Sequence, residues 1–239
     1  MIDVYYWPTA NGRKITIALE ELALAYNIVP VNMRNGSTHR PEFMKINPNA
    51  KIPAIIDHDV AGGLILFESV VILQYLAEKT GKLMPTDTKG RYEVLKWLVF
   101  QAANIGPMFG QLAHFHDYAR EKFTYALNRY GRETERLYGV LERRLTESEY
   151  LGGPEFSIAD IASWTWIMPA RQEQRWEDWP MLKRWHDAVG KRPAVQRGNT
   201  VRLDLQQIGA QQLSDEEWNA LYAWQQAPRD RAEPGQKKE

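Results

Sequence analysis

The stretch from Asn49 to Pro85 constrains this chain more than any other: NAKIPAIIDHDVAGGLILFESVVILQYLAEKTGKLMP. Lys51 to Ile56 reads as a strand carrying Pro53 near its start, and Gly62-Gly63 supplies a turn. Leu64 to Phe67 reads as a second strand, and Glu68-Ser69 opens a helix from Ser69 to Lys79, with Gly81 in the position that ends one. A helix N-terminus presents unpaired N–H groups and partial positive charge, which suits a carboxylate. Glu68 beside it suits an ammonium. An α-amino acid carries both groups on one carbon.

The segments before it complete a pattern. Ile2 to Tyr6 reads as a strand stopped by Trp7-Pro8, and Asn11-Gly12 is a turn signal. Ile15, Ile17-Ala18-Leu19 and Leu22 mark an amphipathic helix ending near Leu24, and Tyr26 to Val31 reads as strand two. Arg34 to Asn49 reads as a loop with a helical turn at Pro41 to Lys45. The order β-α-β-α-β-β-α predicts a thioredoxin-like domain over residues 1–84, followed by a linker at 85–90.

Strand patterns then vanish. Arg91 to Gln101 reads as a helix that Gly106-Pro107 kinks or ends. Glu121 to Glu147 reads as a long helix with Leu127, Tyr130, Leu137, Leu141 and Leu145 on its apolar side. Ser157-Ile-Ala-Asp160 has the form of a capping box before an apolar run to Met168, and Trp179-Pro180-Met181 starts a helix reaching Val189. These features predict an all-helical domain over 91–200. Within the extension 201–239, residues 201–225 read as partly helical, helped by a second capping box at Ser214 to Glu217, and Ala227 to Glu239 as disordered.

Composition excludes several classes. Thirty basic and thirty acidic residues cancel, so charge gives no case for nucleic acid or an anionic membrane. No apolar run approaches a membrane span, and the N-terminal segment does not read as a signal peptide, so a cytoplasmic location is expected. There is no cysteine, which excludes disulfides, cysteine metal sites and a cysteine nucleophile. Thiol chemistry here must use a thiol brought by a ligand. His114 and His116 point about 200° apart on a helix and do not chelate one ion; no metal site is expected.

The Lys51-Ile52-Pro53 and Glu68-Ser69 pieces resemble the thioredoxin-like domain of glutathione transferases. Trp7-Pro8-Thr9-Ala10-Asn11-Gly12, Ile105-Gly106-Pro107-Met108 and Gly110-Gln111 are similar to one subgroup, the bacterial nu-class and Ure2p-like proteins, over residues 1 to about 200. Better-known members of that subgroup are glutathione-dependent disulfide-bond oxidoreductases. The resemblance implies glutathione as co-substrate, a cis Pro53, a ligand cleft between the domains and a homodimer.

It also implies roles for residues. Thr9 and Asn11 would donate hydrogen bonds to the glutathione thiolate; each also reads as an ordinary helix cap. A free thiol has a pKa of about 8.5. Helix-terminal charge is worth at most ~2 kcal/mol, or roughly 1.5 pKa units, so two further donors are useful, although neither accepts the proton. Tyr5 and Tyr6 are rivals, and strand alternation lets at most one of them face the site. Ile52, beside Pro53, would pair its backbone with the ligand's cysteinyl amide, and Lys51 would meet a carboxylate. Glu68 and Ser69 would hold the γ-glutamyl end. Thr38-His39-Arg40 stands where relatives place a Gln against the glycyl end, which nominates His39. Arg132 matches a position where relatives carry an Arg that meets a glutathione carboxylate, and Gln101 is a further candidate. Of the nine tryptophans, most are expected to pack helices and one or two to line a cleft.

Three functions follow: reduction of small disulfides by bound glutathione with a second glutathione completing turnover, conjugation of glutathione to an electrophile, and glutathione binding without catalysis.

Overall fold

A computed structural model of the chain describes residues 1–172, 174–205 and 213–223. Four strands form one sheet in the order β2-β1-β3-β4: β1 (Ile2–Tyr6), β2 (Tyr26–Pro30), β3 (Ala54–Asp57) and β4 (Leu64–Phe67). β1 runs parallel to β2, with Val4 opposite Ile28, and antiparallel to β3, with Val4 opposite Ile55; β3 and β4 form the antiparallel hairpin. Alternation decides the faces. Ile2, Val4 and Tyr6 are buried, while Asp3 and Tyr5 are less so.

Helix α3 (Ser69–Thr80) packs on β3 and β4, helix α1 (Ala10–Leu22) packs beside α3 and shares the sheet's core, and α2 is the short turn Pro41–Met44. Ala23 and Gly81 stop α1 and α3 in left-handed conformations. The peptide Ile52-Pro53 is cis.

The remaining helices form the second domain: α4 (Thr88–Phe100), α5 (Gly106–Ala113), α6 (Thr124–Glu147), α7 (Ile158–Trp164), α8 (Pro180–Gly190) and α9 (Pro193–Thr200). α4 begins earlier than the apolar pattern suggests, because Asp87 caps it by accepting Gly90 N–H at 2.9 Å. Gly106-Pro107 does not end the helical path. A wide turn over Gln101–Ile105, closed by Gly106 N–H to Gln101 C=O, joins α4 to α5 and leaves Pro107 in the first turn of α5, where its missing N–H is not needed. Both capping boxes form. In the first, the buried Asp160 takes Ser157 N–H, Ser157 Oγ, Leu151 N–H and Trp185 Nε1. Burial pushes its carboxyl up, against those four bonds.

The two domains share one core. α9 lies against α1 so closely that a Cβ on Gly198 would come 2.5 Å from Ile17 Cα, so only glycine fits. Thr16 Oγ1 donates to Gly198 C=O at 2.7 Å, and Arg192 forks onto Glu21 at 2.7 and 2.8 Å.

Beyond α9, the second capping box opens a short helix, α10 (Asp215–Trp218). It docks through Trp218 Nε1 to Tyr118 C=O at 2.9 Å and through Arg120 to Asp215 at 2.5 Å. The segment Ala227 to Glu239 lies outside the described residues. Among those residues no helix is long and apolar enough to cross a membrane.

Candidate active site

The site is built around two helix N-termini. At α1, Thr9 is the cap: its Oγ1 accepts Gly12 N–H at 3.1 Å, leaving its own hydroxyl proton available. The turn is tight. A Cβ on Gly12 would sit 2.2 Å from Trp7 C=O, so this residue must be glycine. Asn11 follows in the first turn, and its Oδ1 accepts Trp166 Nε1 at 2.9 Å. An indole nitrogen only donates, so this bond fixes which end of the amide is oxygen. The Nδ2 donor points elsewhere.

The rival tyrosines separate as alternation requires. Tyr6 is fully buried, and its hydroxyl donates to Val201 C=O at 3.1 Å. Burial pushes its pKa up. Tyr5 lies on the other face, 6.0 Å from the Phe43 ring, beside a cavity of about 460 Å³ lined by Tyr5, Val31, Ser37, Arg40, Phe43 and Ile46 among others. None of Thr9, Asn11, Glu68 and Ser69 lines that cavity.

At α3 the N-terminus is open. No side chain caps it. Glu68 precedes the helix with φ +68° and ψ 109°, a conformation costly for a residue with a side chain, and it is exposed. Beneath Ser69 lies Lys14, only 2% exposed, whose Nζ donates to Gln101 Oε1 at 2.7 Å and to Ser69 Oγ at 3.3 Å. Burial pushes its pKa down to about 7, opposed by the field of Glu68.

The other candidates are spread around these two ends. Ile52 is buried with Val31 and Phe43, and its backbone makes no hydrogen bond to other described residues, while Asn47 holds the loop by donating to Lys51 C=O at 2.6 Å. Lys51 and His39 are exposed, and Arg132 is exposed on α6. Gln101 stands apart. At 1% exposure it faces the interior, and it meets Lys14 rather than open solvent. Its Nε2 has no hydrogen-bond partner among the described residues.

Two residues of this region escape a reading of the sequence. Lys14 sits on the apolar side of α1, where a charged residue is itself the signal. Trp166 carries no local signal among nine tryptophans. No group of His, Asp and Glu among the described residues could hold a metal, and His116 is paired with Asp117 at 2.7 Å.

The glutathione S-transferase N-terminal domain family matches residues 2–78, and the corresponding C-terminal domain family matches residues 124–188. The chain is 48% identical over 199 residues to the disulfide-bond oxidoreductase YfcG of Escherichia coli K12, covering 82% of this chain and 93% of that protein. It belongs to the glutathione S-transferase family. Among solved structures, a glutathione transferase from Burkholderia graminis with two glutathione molecules bound per subunit matches with TM-score 0.80 and 43% identity, over 84% of this chain and 88% of that one. Another, from Pseudomonas putida with one glutathione disulfide bound per subunit, matches with TM-score 0.80 and 41% identity, over 84% and 91%.

Proposed function

We propose that this protein reduces small disulfides with glutathione, and that the thiolate doing the work is the ligand's own. The observation that carries this reading is Asn11. Its carbonyl is occupied by Trp166, so the amide end left for a ligand is purely a donor, next to the Thr9 hydroxyl. Two neutral donors at a helix N-terminus suit a thiolate. The chain has no cysteine to form a mixed disulfide of its own. A bound glutathione thiolate attacks one sulfur of the substrate, forming a glutathione–substrate disulfide and expelling the other sulfur as thiolate. A second glutathione thiolate attacks the glutathione sulfur of that intermediate, giving glutathione disulfide and releasing the second substrate thiol. The substrate gains two electrons and two glutathiones lose them. The relatives solved with two glutathiones and with glutathione disulfide support a site of this size.

The γ-glutamyl end goes to α3 in this reading, its ammonium on Glu68 and its carboxylate on Ser69 and the open helix end. Ile52 pairs with the cysteinyl amide. Lys51, His39 and Arg132 are carboxylate partners, and Gln101 acts through Lys14. The division between domains falls at 85–90. We also place the protein in the cytoplasm as a homodimer. Ile65 (47% exposed) and Phe67 (36%) on the edge strand β4, with Val71 on α3 and Val99 on α4, leave apolar surface that a second copy would cover.

Reduction of 2-hydroxyethyl disulfide should depend on glutathione and survive pretreatment of the protein with iodoacetamide. Asn11→Ala should slow it about tenfold or more. Turnover that is lost after alkylation, or that ignores Asn11→Ala, would falsify this reading.

A further inference from the structure

Trp166 lies between α7 and α8, in the helical domain, yet its side-chain hydrogen bond among the described residues crosses to α1. Its backbone is fixed from below. Gln172, 5% exposed, donates to Trp166 C=O at 2.7 Å, accepts Met168 N–H at 3.0 Å, and accepts the hydroxyl of the buried Tyr138. Its ring is fixed from the side. Cβ atoms added to Gly106 and Gly110 would stand 3.9 and 3.7 Å from Trp166 ring atoms, so the indole lies against a strip of α5 that has no side chains.

We infer that Trp166 is a positioning residue for the thiol chemistry, holding the Asn11 carbonyl away so that Asn11 can offer the ligand sulfur nothing but N–H. A primary amide is nearly symmetric in shape. Turned over, it would aim a carbonyl lone pair at a thiolate, which repels it. Only a donor on the far side discriminates between the two orientations, and a donor without acceptor capacity discriminates best. Trp166 meets that requirement, whereas a hydroxyl in its place would serve either orientation.

The inference rests on the reading of Asn11 as a thiolate donor, and the test separates the two. Trp166→Phe keeps a ring over Gly106 and Gly110 and removes the N–H. It should raise the pKa of the bound glutathione thiol, read from thiolate ultraviolet absorbance. It should also lower kcat roughly fivefold to tenfold, with little change in glutathione affinity. In an Asn11→Ala background the same change should have no further effect on the thiol pKa, because there is no amide left to orient. Trp166→Phe that leaves the thiol pKa unchanged while Asn11→Ala raises it overturns the role of Trp166 alone. Equal shifts from Trp166→Phe with and without Asn11 also overturn it, since they mark a purely structural effect. Asn11→Ala without any shift overturns the reading of Asn11 and the inference with it. Should Trp166→Phe fail to fold, benzothienylalanine placed at position 166 keeps the bicyclic shape and replaces N–H by sulfur, and the same outcomes apply.

Discussion

In the proposed reaction, the N-termini of α1 and α3 are the same physical object put to opposite uses. α1 is closed: Thr9 caps it, Gly12 brings the backbone in tightly, and the side chains offered nearby are neutral donors. α3 is open: it has no side-chain cap, a glutamate stands beside it in a strained backbone conformation, and a buried lysine reaches it from below. A thiolate needs modest stabilisation, because too much would cost it nucleophilicity. An amino-acid headgroup carries two full charges and is only bound, so strong charges there cost nothing in rate. On the proposed reading, neutral groups meet the reacting atom and charged groups the handle, as that division requires.

Three measurements press on this contrast, the largest first. Lys14 is the charged end's hidden member. Unfolded, it keeps its proton up to its ordinary value of 10.5; folded, burial brings release down to about 7. Between those values the unfolded chain holds more protons, so this group makes stability rise with pH, and its penalty is fullest below pH 7. Lys14→Met removes the term. Its stability advantage over the parent protein should therefore shrink from about pH 6 to about pH 9, by on the order of 3 kcal/mol in urea unfolding. Parallel pH profiles for the two proteins would remove Lys14 from the account.

Next, Glu68→Ala should weaken glutathione by about 2 kcal/mol, roughly thirtyfold, since the ligand's ammonium loses its partner. Calorimetry with unchanged affinity would mean that the γ-glutamyl group sits elsewhere. The smallest effect separates the two duties of Thr9. Thr9→Ala should slow turnover about fivefold and lower stability by about 1 kcal/mol through the lost cap. Thr9→Ser should do neither. If serine is as slow as alanine, the hydroxyl is not what acts.

The open end of α3 was legible because its signals are local. A proline after Ile52, a glycine pair, an acidic residue and a serine before an apolar helix all lie within one short segment. The β-α-β-α-β-β-α order was legible for the same reason, since strand and helix periods are read within a few residues. What escaped depends on distance along the chain. Asn11 and Trp166 are 155 positions apart, and Lys14 and Gln101 are 87 apart. Nothing near Trp166 distinguishes it from tryptophans that only pack, and nothing near Gln101 shows that its side chain turns inward to Lys14. The start of α4 differs on a smaller scale: Asp87, linker by its composition, is the cap of the helix.

The wide turn at Gln101–Ile105 has a consequence for how this chain can vary. Each helical residue turns the chain by about 100°. The extra residue accommodated in that turn therefore sets the rotational phase of everything after it, including the bare strip of Gly106 and Gly110 on which Trp166 rests. Exchanging one residue of the turn for another of similar size would leave that phase alone. Removing a single residue would swing the glycines aside and bring the bulk of Pro107 or Met108 toward the indole. Along this segment, a change in the number of residues should therefore disturb the seat of Trp166 more than an exchange of one residue for another of similar size.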